Sequence, residues 1–150
     1  MPHPLRTVIA FATLIATTTA FAQSPHKHIV QQPSPERNAM PWSDAVQAGN
    51  TLYISGHVGI DPKTNRPPVS SQEEAKLLME DFKHTVEAAG MSMTDVVSVQ
   101  VLCTDMDRFN AFNEVYRTYF HDGYPARAFM GTNKLLFGAH FEMTGIAIRP

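Results

Sequence analysis

The chain has 150 residues, the length of one ordinary domain, and 43% of them are hydrophobic and 17% charged, which excludes collagen-like and wholly disordered chains. Twelve Lys and Arg stand against 14 Asp and Glu, so no cationic excess exists to neutralise phosphates and a nucleic-acid partner is disfavoured. A single cysteine, Cys103, excludes an intramolecular disulfide framework and any CxxC metal or redox motif.

In chain order, Met1–Arg6 is short and carries one basic residue, and Thr7–Ala22 has no charge. The stretch ends in Ala20-Phe21-Ala22, a small-x-small pattern before Gln23. This layout predicts a cleavable signal peptide over residues 1–22 and a periplasmic or secreted mature chain beginning at Gln23. The apolar run is shorter than the roughly 20 residues a spanning helix needs, and Thr17–Thr19 dilute it, so no membrane association is expected after cleavage. Cleavage removes Arg6 alone among the charged residues and leaves the mature chain slightly more acidic. Gln23–Arg37 is polar and punctuated by proline, and it reads as a flexible tether before a domain over residues 38–150. His26 and His28 flank Lys27, but two histidines on a mobile arm do not make a metal site.

Thr51–His57 is rich in β-formers, follows a Gly49-Asn50 turn signal and predicts a strand paired with a short one around Ser43–Ala48. Asp61–Pro68 is turn chemistry throughout and predicts a loop. The first long helix is capped by Ser70 or Ser71, with Glu73 or Glu74 three residues on. Its apolar residues Ala75, Leu78, Met79, Phe82, Val86 and Ala89 recur at helical spacing, and Gly90 ends it. Asp95–Cys103 alternates, with Val97, Val99, Val101 and Cys103 on one face and Ser98 and Gln100 on the other, which predicts a strand with one buried face. A second helix runs from Asp105 or Asp107 to Phe120, and its stripe of Phe109, Phe112, Val115, Tyr116 and Tyr119 is core. His121–Pro125 breaks it. Arg127–Asn133 and His140–Ile148 are the last strands, joined through Lys134–Ala139. The order β-β-α-β-α-β-β predicts an α+β layer domain with a sheet packed on two helices. No GxGxxG, Walker A, HExxH or GxSxG pattern occurs, so cofactor chemistry and serine hydrolysis lack sequence support.

Several short motifs follow one another in a distinctive order: Met40–Val46 (MPWSDAV), Tyr53–His57 (YISGH), Ile60-Asp61-Pro62, Phe112–Tyr116 (FNEVY) with Tyr119-Phe120, and Tyr124-Pro125-Ala126-Arg127. On these motifs the chain, from about Pro41 to Ala147, resembles the RidA/YjgF family of reactive-intermediate (enamine/imine) deaminases. The resemblance implies a chorismate mutase-like fold and a homotrimer whose sheets line a central barrel. It also implies clefts between subunits that bind a small carboxylate or imino acid, with no cofactor and no metal. It further implies that Arg127 grips the substrate carboxylate, a task suited to a planar, permanently charged, two-donor guanidinium. Trp42, Ser55 and Asn113 would line the same cleft. Trp42 stands where the family has tyrosine, and its indole N–H can only donate. Each of these residues has a plainer structural reading: a surface ion pair for Arg127, a locally bonded strand hydroxyl for Ser55, a helix brace for Asn113.

Two departures from the family pattern bear on the chemistry. Ala128 and Phe129 follow the arginine where the family has serine and cysteine. Phe129 shares a strand face with Arg127 and is expected to narrow the pocket or wall it with an apolar ring. In the last strand Thr144 replaces the glutamate that orders the attacking water. A carboxylate acts as a base and a threonine hydroxyl only positions water, a loss on the order of 10²–10⁴-fold. Glu142 and His140 fall on the same face as Thr144 by period-two alternation, and Glu142 lies one pleat away, about 7 Å. That makes Glu142 the candidate substitute base, through a bridging water, with His57 a lesser one. The expected function is hydrolytic deamination of reactive 2-imino or enamino acids to 2-oxo acids and ammonia, with Arg127 and Thr144 as the catalytic pair. The alternative is a non-catalytic periplasmic binding protein for small carboxylates that uses the same cleft. A chaperone or ribonuclease role, also attributed to the family, is disfavoured by the acidic mature chain and its expected export.

Overall fold

The computed structural model describes residues 26–150; the expected signal peptide and Gln23–Pro25 lie outside the described residues. Strands β1 (Lys27–Ile29), β2 (Ala45–Ala48), β3 (Thr51–Val58), β4 (Val96–Cys103), β5 (Ala126–Gly131) and β6 (Phe141–Ile148) form one sheet in the order β1-β2-β3-β6-β4-β5. Among the described residues only β4 and β5 run parallel, and α3 (Phe109–Tyr116) makes the crossover between them. The other pairings are antiparallel. A short helix α1 (Pro35–Asn38) and the long helix α2 (Ser71–Ala88) complete the fold, which is the expected mixed α+β arrangement.

Helix α2 follows its sequence signals closely. The Ser70 hydroxyl accepts from the Glu73 amide at 3.3 Å, and Ala75, Leu78, Met79, Phe82 and Val86 are buried without exposed surface. Gly90 takes the left-handed φ of 71° just past the helix end. The predicted second helix is three joined pieces, a 3₁₀ turn Met106–Arg108 capped by Asp105, then α3, then a 3₁₀ turn Arg117–Tyr119. Phe112 and Tyr116 of α3 pack with Phe120 and, through Phe112, with Phe141 of β6. Both helices lie on one face of the sheet, where Leu52, Ile54, Val99, Val101, Met143 and Ala147 are buried. Among the described residues no layer covers the other face, and Tyr53, Val97, Met130 and Ile148 are exposed there.

Two sequence expectations need correction. Part of the stretch read as a tether is structured, because β1 pairs with β2 in register Lys27↔Gln47, His28↔Val46 and Ile29↔Ala45, and α1 follows. Strand β1 has three residues, too few for a period-two pattern to show. Val97 was placed on the buried face of β4, yet it is exposed and Val96 is buried instead. A register shift between Val96 and Ser98 moves the alternation by one residue there. Cys103 is buried as expected; its thiol donates to the Asp105 carbonyl at 3.0 Å, and burial pushes its pKa up.

Candidate functional site

The predicted site residues fall into two patches on opposite faces of the sheet. The first is built on β5. Its parallel register with β4 sets Val99 beside Arg127 and Val101 beside Phe129, so both β5 side chains face α3. Arg127 donates from Nη1 to the Oδ1 of buried Asn113 at 2.8 Å. Its guanidinium carbon lies 4.6 Å from the Tyr116 ring centre, 5.6 Å from Phe129 and 5.9 Å from Phe109. Aromatic faces stabilise a cation without neutralising it. No carboxylate pairs with Arg127 among the described residues. A guanidinium placed this way keeps spare N–H donors for an anion.

Phe129 occupies a defined place in this patch. Its ring meets Phe109 edge-on at 4.9 Å and Phe112 at 5.5 Å. It is a wall bonded to the helix, and Ala128 points to the opposite, uncovered side. Tyr116 has its hydroxyl buried with no partner among the described residues. Burial pushes its pKa up to about 12, against the opposing influence of Arg127, so the phenol is neutral.

The second patch lies on the uncovered face and is organised by the N-terminal segment. The buried Asp44 carboxylate accepts from the Gln31 amide at 2.6 Å and pairs with Arg37, whose guanidinium sits 6.0 Å from the Trp42 ring centre. The Asp44 amide bonds the Ile29 carbonyl, and its carbonyl accepts from the Ser55 amide, both at 2.9 Å. Ser55 donates its hydroxyl to the Ser43 carbonyl at 2.7 Å, so only its oxygen lone pairs remain for a ligand. Trp42 is 50% exposed at the edge of this patch. Thr144 pairs with Gln100 of β4, and Glu142 lies between Val58 of β3 and Leu102 of β4. Arg127 and Asn113 are therefore brought together, as are Ser55 and Thr144, but the two pairs lie on opposite faces of the sheet and do not meet in the single chain.

The histidines are not where alternation placed them. His140 precedes β6, and both its amide (2.5 Å) and its Nδ1 (2.7 Å) bond Glu74 on the helix side, so it does not share the Thr144 face. His57 is 4% exposed, with Nδ1 2.6 Å from Asp81 and its ring edge-on to Phe82. An irregularity between Ile54 and His57 turns it to the helix face, away from any cleft at the strand end. Burial acts to raise the Asp81 pKa. The hydrogen bond and charge of His57, with help from Gln31 and His84, hold it below the ordinary carboxylate value.

Sequence reasoning missed Glu74, Asp44 and Asp81. Glu74 read only as a capping residue, yet it is fully buried and also accepts from the Phe141 amide at 3.1 Å. Nothing local signals that role, because its partners are 66 and 67 residues away.

A family model described as Endoribonuclease L-PSP matches residues 31–149. The chain belongs to this family. It is the RidA/YjgF family of the sequence resemblance. A mouse RidA-family relative, a 2-iminobutanoate/2-iminopropanoate deaminase, is 40% identical over 110 residues, covering 73% of this chain and 82% of the relative. Among solved structures, RidA from the Antarctic bacterium Psychrobacter sp. PAMC 21119 superposes with a TM-score of 0.69 at 37% identity, covering 74% of this chain and 90% of that one. E. coli TdcF with bound serine superposes with a TM-score of 0.70 at 32% identity, again covering 74% of this chain and 90% of that one.

Proposed function

We propose that this RidA-family protein hydrolyses reactive 2-imino or enamino acids to 2-oxo acids and ammonia, in a cleft where the Arg127 patch of one copy meets the Ser55–Thr144 patch of another. The observation that carries the reading is Arg127 itself: a guanidinium shelved on three aromatic rings, braced by Asn113 and free of any carboxylate among the described residues. That is an environment for an anionic ligand, and the deaminase relatives supply the substrate class. The bare sheet face with Tyr53, Val97, Met130 and Ile148 supports assembly with further copies, and the trimer implied by the family is the expected state. Light scattering on the purified protein reads it directly. Export belongs to the same proposal, and N-terminal sequencing of the mature protein should begin at Gln23.

The chemistry is net addition of water across the C=N bond. The water oxygen bonds to carbon, the π pair goes to nitrogen, and after a proton reaches nitrogen the C–N bond breaks to release ammonia and leave the carbonyl. Imines react readily once oriented, so fixing the carboxylate supplies part of the rate. An amino-acid oxidase generating the imine beside the protein provides the assay, with ammonia release as the readout. Wild-type protein is expected to speed release and Arg127→Ala to abolish the effect; equal rates with both would defeat the reading.

One observation favours a second reading. Thr144 offers a hydroxyl where a proton acceptor would serve, which suits a cleft that binds small carboxylates without turning them over. Calorimetric titration with 2-oxo acids, combined with the same assay, separates the two: saturable binding without ammonia release would establish binding alone.

A further inference from the structure

Residues 31–38 are tied to the domain at both ends. At one end the Gln31 side chain donates to the Asp81 carbonyl at 3.1 Å and to its Oδ1 at 3.2 Å, on α2. At the other end the Ser34 hydroxyl caps α1 and accepts from the Arg37 amide at 3.1 Å, with Pro35 at the first helical position. The Arg37 carbonyl then accepts from the Met40 amide at 3.2 Å. That turn brings the chain back beside its own helix, and the Arg37 guanidinium carbon lies 6.0 Å from the centre of the Trp42 ring.

Asp44 closes the arrangement. Its side chain is buried, and one carboxylate oxygen accepts from the Gln31 amide at 2.6 Å while the other pairs with Nη2 of Arg37. The guanidinium is thus held through its backbone by Ser34 and through its side chain by Asp44. Desolvation offsets much of the attraction in such a pair, so its effect is read in geometry more than in stability. The geometry in question is that of an indole. Trp42 is half exposed and stands outside the hydrophobic core, so packing alone does not hold its ring. A planar guanidinium beside the ring supplies that hold. The Asp44 main chain serves the same patch, since its carbonyl accepts from the Ser55 amide at 2.9 Å.

We propose that Arg37, held by Asp44, is a positioning residue for the deamination: it fixes the Trp42 indole as an aromatic wall of the cleft, and residues 31–38 are thereby part of the site. The role rests on the deaminase reading, which sets the patch carrying Trp42 against Arg127 of another copy. Arg37 touches no substrate atom. Its guanidinium is engaged by Asp44 and the indole, and the exposed part of the ring is left for the carbon chain of the 2-imino acid. Such a wall takes up no proton and contacts ground state and transition state alike, so it acts on KM and not on kcat. Without Arg37 the ring remains but is no longer fixed, and binding has to order it each time.

Trp42 is the single tryptophan, so intrinsic fluorescence reads this ring alone. The test compares wild type, Arg37→Gln, Trp42→Ala, the double variant Arg37→Gln with Trp42→Ala, and Arg127→Ala in the oxidase-coupled ammonia assay. Fluorescence anisotropy is measured on the proteins that keep Trp42. Glutamine keeps a hydrogen bond for the buried Asp44 carboxylate and removes the cation from the ring, which guards the fold better than alanine does. Arg37→Gln is expected to raise KM by about 3- to 30-fold with kcat within about twofold of wild type, and to lower the anisotropy. Trp42→Ala is expected to raise KM at least as much. Adding Arg37→Gln to it is expected to change nothing further, because Arg37 acts through the ring. An unchanged KM in Arg37→Gln or in Trp42→Ala, while Arg127→Ala is inactive, would overturn the role of Arg37 and leave the deaminase reading standing. An equal loss with and without Trp42, or a loss confined to kcat, would also overturn it, by assigning Arg37 to the packing of the segment. Wild type no faster than the spontaneous reaction would overturn both.

Discussion

Arg127 lies among three aromatic rings and donates to the Asn113 amide oxygen, whereas Glu142, two strands away on the other face, lies against Gly56 of a bulge. The first arrangement fixes a charge in one orientation before any ligand arrives. The second leaves a carboxylate with no hydrogen-bond or ion-pair partner among the described residues. Rigid placement suits the binding of an anion, whose position must not change during reaction. A group that gives and takes protons gains from being free of competing hydrogen bonds. The two faces of one sheet thus present a cation and a carboxylate apart from each other, and the difference is open to test from both sides.

The largest effect is expected at the grip. Arg127→Ala removes a charged donor set from an aromatic shelf, a loss of about 2–5 kcal/mol in the stabilisation of a bound carboxylate. In kcat/KM for imine hydrolysis this corresponds to about 30- to several-thousand-fold. Arg127→Lys should recover little, because the ammonium lacks the planar fork. A lysine variant with wild-type kcat/KM would show that charge alone suffices and that the shelf is incidental.

Next comes the anchor of the second patch. Glu74 is fully buried and binds the amides of His140 and Phe141 and the His140 ring, and so fixes the entry into β6, the strand that carries Glu142 and Thr144. Glu74→Ala leaves those donors without partners and opens a cavity, which should destabilise the fold by about 2–4 kcal/mol in denaturant titration. Its functional effect should fall on kcat and spare ligand affinity at Arg127. An equal loss of both would mean that the two patches are not built independently.

Much of this frame was legible in the sequence. The Ser70 cap, the apolar spacing of α2 and the alternation of β4 beyond Ser98 all reflect local rules, and the structure follows them. Arg127 and Phe129 sharing a face followed from their two-residue spacing. What escaped was non-local or irregular. The bulge at Ser55-Gly56 reverses the face of His57 and makes room for Glu142, and from sequence a glycine within a strand is only a general hint of irregularity. Glu74 and Asp81 take their roles from partners brought near by the sheet, and no spacing rule reaches that far. Strand β1 has three residues, too few for a period to show.

A smaller effect is expected from Asp81, which ties β3 to α2 through His57 and to the N-terminal segment through Gln31. Its pKa is lowered in the folded protein, so the unfolded chain takes up its proton at higher pH. Its contribution to stability is then present above the unfolded value, about 3.9, and lost as pH falls through the folded one. The carboxylate is half exposed, and solvent screening keeps the contribution modest. In urea titrations of wild type and Asp81→Asn, the gap between the two should be widest at neutral pH and close below about pH 4. A gap that persists unchanged in acid would assign Asp81 a packing role.

The smallest change is the most discriminating for the Arg127 side. The Tyr116 hydroxyl is buried without a partner among the described residues, and burial has pushed its pKa up to about 12, so it is a neutral phenol that bears its own desolvation cost. Tyr116→Phe removes the unsatisfied group while keeping the ring under the guanidinium. Removal of such a group is expected to leave stability within about 1 kcal/mol of wild type or raise it. The ring face remains for the cation, so 2-oxo acid affinity should stay within a few-fold. A thermal melt and a calorimetric titration measure both. If affinity fell by tenfold or more with stability unchanged, the hydroxyl would be a second donor to the bound carboxylate, and the grip would extend beyond Arg127 and Asn113 into the aromatic shelf itself.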